Sequence, residues 1–496
     1  MDMGPVLSFR GWDPATQQWA LSALVVAKEK PGPLAWRDPD GQAEAEALWT
    51  VKGRTAWRYR FAATLAAEAA VLEYAIDGST WRLGLPAAGT APRMAYASCN
   101  GFSSLKDMKR VADKNAMWSA MGERHAKSPY HLLLLGGDQV YADSMWAVLP
   151  TMRAWNELGF AAGNAARFTA AMRRELEAFY FDLYAERWAQ PEIAAMLAAL
   201  PGIAMWDDHD ILDGWGSYPG ERQQCDVFQG LLPIARRAFE VFQQHLGPDE
   251  VRPGALEPAG GALSFGHVLP HLAILALDMR SERSATQVIS PAHWERIYAW
   301  LNGLPAGLPH LLLMSSIPVV YPGFETFERI LGAVPGQQEL EDDVRDHWRS
   351  RAHKGERSRL VHRLLDLALA TRIRPTILSG DVHVAALGTI ESIRDVRPGE
   401  RAGVINQLIS SGIVHPSPGA AVVFALRHLF DNSDEIDNGI TARMVEFPGT
   451  QHRFIGSRNF LSLEPDAPAD QPKPRLWANW IAEGEAEPYV KVIHPI

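Results

Sequence analysis

Leu132-Leu133-Leu134-Leu135-Gly136-Gly137-Asp138-Gln139-Val140-Tyr141-Ala142-Asp143 begins as a wholly apolar strand and turns within three residues to a carboxylate. Four leucines with no polar alternation describe a strand buried on both faces. The two glycines let the backbone turn tightly where Asp138 must project. The same pattern recurs along the chain. Met94-Ala95-Tyr96-Ala97 runs into Ser98-Cys99-Asn100-Gly101, and Ile203–Trp206 into Asp207-Asp208-His209-Asp210. Leu272–Leu277 ends at Asp278-Met279-Arg280 with Arg283 just beyond, and Thr376–Leu378 ends in Ser379-Gly380-Asp381-Val382-His383. In open α/β sheets, ligands bind in the crevice outside the carboxyl ends of the strands. Five strand ends thus deliver Asp, His, Cys and Arg to one edge.

Between these strands lie long Ala-, Leu-, Met- and Arg-rich stretches: Ala165–Tyr184, Pro191–Leu200, Ala285–Leu304, Glu339–Ala370 and Ala420–Phe430. Apolar strands separated by helices of this length predict an α/β architecture with a largely buried sheet. Residues up to about 90 read differently. Trp57-Arg58-Tyr59-Arg60-Phe61 alternates, Val71–Ile76 is followed by Asp77-Gly78, and Trp19–Ala27 fits the same pattern. Alternation bounded by such turns predicts antiparallel strands, here a small β-sandwich over residues 1–90, joined by Ala88-Gly89-Thr90-Ala91-Pro92 to a second domain over residues 91–496. A helical insertion is expected at about 150–201, and Pro465–Pro474 reads as a surface loop.

Composition narrows the function. The chain has 496 residues, 47% hydrophobic and 21% charged, with 48 Lys+Arg against 58 Asp+Glu and a net charge of −10. These are globular proportions, and the acidic balance argues against a nucleic-acid binder other than one that takes a nucleotide as substrate. Two cysteines, Cys99 and Cys225, form no disulfide framework. The start Met1-Asp2-Met3-Gly4-Pro5 has no basic region followed by an apolar one, so no secretory signal and a cytoplasmic location are expected. The most apolar stretch, Leu308–Tyr321, is interrupted by His310, Ser315, Ser316 and Pro318, too short and too broken for a membrane span.

Carboxylate with imidazole suits a divalent or trivalent cation, and a thiolate or phenolate alongside favours a transition metal such as iron. Plainer readings hold elsewhere. A single Asp after a strand is commonly a turn or helix-cap residue, which covers Asp143, Asp210 and Asp213. Cys225 reads as a small core side chain, and His267 and His271 as structural. His415 follows another apolar-to-polar transition, Leu408-Ile409-Ser410-Ser411-Gly412, and is a candidate lining residue.

Ser98-Cys99, Gly137–Asp143, Trp206–Asp210, Leu277–Arg283 and Ser379–His383 together resemble, in order, the motifs of the alkaline phosphatase D (PhoD-like) family of metallophosphoesterases. The resemblance spans Ala95 to about His415. It implies a four-layer αββα metallophosphoesterase core with a binuclear metal centre. By the same resemblance Fe3+ would be held by Cys99, Asp138, Tyr141 and His383, and Ca2+ by Asp138, Asp208 and Asp381. Mn2+, Mg2+ or Zn2+ are alternatives. It also gives His209, Arg280 and Arg283 catalytic roles.

The implied activity is phosphomonoester or phosphodiester hydrolysis of a small-molecule substrate by a metal-activated hydroxide. Two metals about 3.5–4 Å apart suit in-line displacement, with His209 protonating the leaving oxygen or stabilising the transition state and Arg280 or Arg283 forking onto phosphate oxygens. A structural Arg–carboxylate pair is the other reading of these arginines. A non-catalytic phosphate-ester or metal-binding protein is the competing class. Asp208–Pro219 looks most like a subgroup of PhoD-like proteins whose substrates are poorly defined, and the 150–201 insertion is placed to roof the site.

Overall fold

The structure, a computed structural model, describes residues 1–37, 40–322, 348, 353–394, 402–428, 433–466 and 473–496. The short apolar runs are parallel strands. Leu132–Gly136 lies between Met94–Ala97 and Gly202–Met205, with Leu134 opposite Tyr96 and Ile203. In a second sheet Leu272–Ala276, His310–Met314, Arg374–Ser379 and Val404–Ile409 run parallel to one another, in that order. Continuous leucine runs are what such positions require, because both faces of each strand are covered.

Side-chain alternation builds the layers. Met94, Tyr96, Leu132, Leu134, Ile203 and Met205 share one cluster with Ile274, Ala276, Leu312, Met314 and Leu378 of the second sheet. The intervening residues Ala95, Ala97, Leu133, Leu135 and Ala204 face outward onto Trp118, Leu176, Phe181 and Phe239 of the helices. On the far side Ala273, Leu275, Leu311, Leu313 and Ile377 pack against Trp294, Ile297, Leu360 and Leu364. The order is helices, sheet, sheet, helices, a mixed α/β fold. Among the described residues no helix is long and apolar enough to cross a membrane.

Residues 1–90 are antiparallel β-structure, and the way they join the core is informative. Met3–Asp13, Gln18–Ala27, Arg54–Thr64 and Glu46–Val51 extend the first sheet to ten strands, with Ser8 of the first strand opposite Gly202 in parallel register. A separate four-stranded sheet of Leu34–Trp36, Gly41–Ala43, Ala70–Ile76 and Ser79–Leu85 packs on that extension through Phe61, which meets Trp36 at 5.6 Å and Tyr74 at 6.0 Å. One sheet of the sandwich is therefore continuous with the core sheet.

The helices shift at their ends for capping reasons. The stretch read as Ala165–Tyr184 is helical over Ala170–Trp188, because the Thr169 hydroxyl accepts from Met172 N at 3.1 Å and starts it. The next helix is Pro191–Ala199, with proline in its first turn. Ser290 caps Pro291–Asn302, so residues 285–290 stay outside that helix. Of the stretch read as Glu339–Ala370, the structure describes Lys354–Thr371 as helix; residues 339–347 and 349–352 lie outside the described residues. The Pro465–Pro474 loop is shortened by the strand Asn459–Asp466, which carries Pro465; residues 467–472 lie outside the described residues.

Candidate metal centre

Parallel pairing sends the carboxyl ends of both sheets to one place, and the backbone there is forced. Cys99, Asp138, Asp381 and His383 adopt left-handed φ of 53, 54, 67 and 51°. Such conformations cost about 1–3 kcal/mol each and persist where the surroundings over-determine them. Here Cys99 N donates to Gly137 O at 3.3 Å, Asp138 N to Asp210 Oδ2 at 2.9 Å and His383 N to Ser411 Oγ at 3.0 Å. Two glycines permit the approach of these turns. A Cβ on Gly137, at φ 97°, would lie 2.7 Å from Asp207 Cβ, and one on Gly380 would lie 2.3 Å from Ser98 Oγ.

The turns bring together Asp138, Asp207, Asp208 and Asp381, each offering a carboxylate oxygen within 4.8 Å of the others, all four buried. Burial raises the pKa of Asp138 well above the carboxylate range, and the charge of Asp207 adds to it. Burial also raises Asp207, while the Arg280 guanidinium opposes the rise. Burial pushes Asp208 the same way, yet Arg280, His209 and the Gly214 amide together hold it below the usual range. Four buried carboxylates with two cationic neighbours, Arg280 and His209, are short of positive charge. Among the described residues, Asp138 Oδ1 and Asp207 Oδ2 are buried without a hydrogen-bond partner, as are Tyr141 Oη and His383 Nδ1. Buried polar atoms of this kind call for an ion. The donor set fits one or two metal cations.

The remaining expected ligands surround this cluster. Cys99 Sγ lies 3.6 Å from Asp138 Oδ2 and 3.1 Å from Ser411 Oγ. Burial raises its thiol pKa, and the Asp138 charge adds to it. Tyr141 is pushed up by burial, then by Cys99, Asp138 and Asp208. Burial lowers the His383 pKa well below its ordinary value, with His415 and His209 adding. The rings stack in a column. His209 meets Tyr141 at 4.2 Å, Tyr141 meets His415 at 5.7 Å, and His415 meets His383 at 3.7 Å. His415 therefore lines the site; its Nδ1 donates to Pro416 O at 2.9 Å, so its Nε2, 3.0 Å from Ser103 Oγ, is the acceptor.

His209 Nδ1 lies 2.6 Å from Asp143 Oδ2, while Asp143 Oδ1 accepts from Asp213 N at 2.8 Å. Burial alone would lower the His209 pKa, but Asp143 and Asp208 carry it well above the ordinary value. Asp143 is thus more than the turn residue it reads as in sequence. Asp210 keeps its turn role and extends it: it accepts from the amides of Asp138 and Asp207 at 2.9 Å each and from Gln243 Nε2 at 3.0 Å. Burial pushes its pKa up to about 7, against those backbone bonds.

Arg280 faces the acidic cluster. Fully buried, it donates through Nε to Asp207, through Nη2 to Asp208 at 3.2 Å and through Nη1 to Trp215 O at 3.0 Å. This is the inward Arg–carboxylate pair. Asp278 shapes that loop by accepting from Arg280 N at 3.0 Å and Trp206 Nε1 at 2.8 Å. Arg283 is buried with its stem against Gly216, whose Cβ would lie 2.6 Å from it. Asp207 joins the acidic cluster without having been singled out, since Asp207-Asp208 in sequence does not say which of two adjacent carboxylates turns inward. Both do, because Asp208 opens a 3-10 turn directly after Asp207. Cys225, by contrast, is buried in the helical core cluster, and His267 lies among Phe9, Phe265 and Arg252.

Sequence and structure comparisons agree with this architecture. The model of the family described as PhoD related phosphatase matches residues 86–339 and 331–436, most of the chain, and the chain belongs to that family. The uncharacterized protein YGR266W of Saccharomyces cerevisiae is 29% identical over 507 residues, covering 84% of this chain and 72% of the yeast protein. The solved structure of PhoD superposes with a TM-score of 0.58 at 14% identity, covering 99% of this chain and 92% of PhoD. The fold is the PhoD fold. Family and acidic cluster together define the class as phosphoesterase with a metal-capable centre.

Proposed function

We propose that this chain is a metal-dependent phosphoric ester hydrolase acting on the monoester or diester of a small molecule. The observation that supports it most is the convergence of Asp138, Asp207, Asp208 and Asp381, buried and short of positive charge. Those carboxylates, with Cys99, Tyr141 and His383 around them, would hold two metal ions. The resemblance in sequence favours Fe3+ beside Cys99, Tyr141 and His383, and Ca2+ beside Asp208 and Asp381. When bound, the ions supply neutralisation of phosphate charge and activation of water.

The protein's own groups do the rest. Asp143 accepts from His209 Nδ1, leaving Nε2 as the atom that moves a proton. A histidine held cationic in this way donates that proton to the leaving oxygen. Arg280 holds Asp207 and Asp208 in place, while Arg283 is the residue we assign to phosphate oxygens. A reducing cytoplasm suits the Cys99 thiol.

The test is elemental analysis of the purified chain beside hydrolysis of p-nitrophenyl phosphate and bis-p-nitrophenyl phosphate, with wild type and Asp138→Asn. Bound metal with turnover that Asp138→Asn abolishes supports the reading. A folded chain that takes up no metal and turns over neither ester sinks it.

A further inference from the structure

Arg187, near the end of the helix Ala170–Trp188, reaches from the 150–201 segment to the turn that follows Cys99. Its Nε donates to Asn100 O at 2.8 Å and its Nη2 to Asn100 Oδ1 at 2.7 Å, a two-pronged grip on one residue, while Nη1 donates to Gln190 Oε1 at 3.0 Å. Asn100 follows Cys99 directly. Its amide donates to Asp138 O at 2.8 Å, its Nδ2 to Gln139 O at 3.4 Å, and its Oδ1 also accepts from Trp118 Nε1 at 2.8 Å. The two N–H groups of Asn100 thus join the turn after one strand to the turn after the next, while its two oxygens are held by Arg187 and Trp118.

Those two turns carry Cys99 and Asp138, both in left-handed backbone that needs external support. Arg187 makes no ion pair with any described residue, and burial lowers its pKa to about 10, against the pull of Tyr141 and Glu192. Half-buried, it meets carbonyl and amide oxygens rather than a carboxylate, so what it supplies to Asn100 is a charged, planar hydrogen-bond donor.

We propose that Arg187 is a positioning residue through which the helical segment sets the metal centre, by gripping Asn100 and so locking the Cys99 and Asp138 turns to each other. This rests on the metal reading given above. Residues behind metal ligands typically alter affinity 10- to 100-fold when removed. The lock depends on the planar fork of arginine, which lysine lacks although it keeps the charge.

The test uses the full chain stripped of metal, with Mn2+ alone as the probe, and hydrogen exchange at the Asn100 amide measured beside it. Arg187→Gln and Arg187→Lys are each expected to weaken Mn2+ binding by about 10-fold or more and to speed that exchange. Arg187→Gln combined with Asn100→Ala should weaken binding by less than the sum of the two single changes, the mark of one shared route. Binding by Arg187→Lys within about twofold of wild type would assign the effect to charge and overturn the proposal. Unchanged affinity and exchange in Arg187→Gln would overturn it as well. If wild type itself binds no Mn2+, the metal reading fails, and the exchange at Asn100 still decides whether Arg187 locks the turns.

Discussion

At the scale of single residues, His209 and Asp143 show how one hydrogen bond decides a proton's availability. Asp143 and Asp208 raise the His209 pKa against the opposing effect of burial. A raised histidine keeps its proton to higher pH, so activity that needs the cation holds below the raised pKa and is lost as pH climbs through it. Asp143→Asn removes the charge while keeping the shape, so the alkaline limb of the kcat profile is expected to move to lower pH, with kcat at pH 8 down about tenfold or more. A profile that keeps its limb would show that His209 does not supply the proton. Asp210 makes a different prediction. Both its oxygens accept N–H groups, from Asp138, Asp207 and Gln243. Asp210→Asn points an amide N–H at donors that cannot accept it, and about 2–3 kcal/mol of stability should go, read from urea midpoints.

At the scale of elements, the strands were legible because their chemistry is simple. Leu132–Leu135 has no alternative but burial, and a glycine followed by an aspartate at its end marks a turn that projects a carboxylate. The convergence of Asp138, Asp208 and Asp381 follows from parallel pairing, which the sequence pattern predicts. Asp207, Asp143 and Asn100 were not legible as site residues, because their parts depend on which way a side chain leaves a tight turn and on partners 66 to 87 residues away. The pairing of Arg280 with two aspartates has the same origin. An Asp-x-Arg segment does not reveal that Asp207 and Asp208 wait on the next strand end of the other sheet. The element-level prediction concerns how closely the two sheets meet. Gly380 faces Ser98 across them with no room for a methyl group. Gly380→Ala is therefore expected to separate the turns that carry Cys99 and Asp381, to lower metal content, and to lower the melting temperature through a loss of about 1–3 kcal/mol of stability by overpacking. A variant with wild-type metal content and melting temperature would mean that the two turns yield freely.

At the scale of the whole molecule, the question is whether residues 1–90 stand apart from the core, as their change of sequence pattern suggests. Their first strand is an interior member of the ten-stranded sheet, with Gly202–Met205 on one side and Gln18–Ala27 on the other. Buried polar contacts cross the same junction: Arg10 Nη1 donates to Gln244 O at 2.6 Å, Arg58 Nη1 to His245 O at 2.6 Å, and Tyr74 Oη to Ala198 O at 2.7 Å. Leu7, Phe9 and Val25 share one apolar cluster with Ile203, Met205 and Leu272. Removing residues 1–90 would leave the edge of Gly202–Met205 unpaired and strip the cover from that cluster, the condition under which strands associate between chains. Gly202–Met205 leads straight into Asp207 and Asp208, so a disturbed edge strand would also disturb the site. A chain beginning at residue 91 is expected to be insoluble or to lack a cooperative thermal transition, whereas the full chain unfolds residues 1–90 and the core in one step. A soluble 91–496 chain with a cooperative melt and wild-type metal content would show that the amino-terminal strands are an appendage. The continuity of the sheet argues instead that they support the two aspartates at the end of its neighbouring strand.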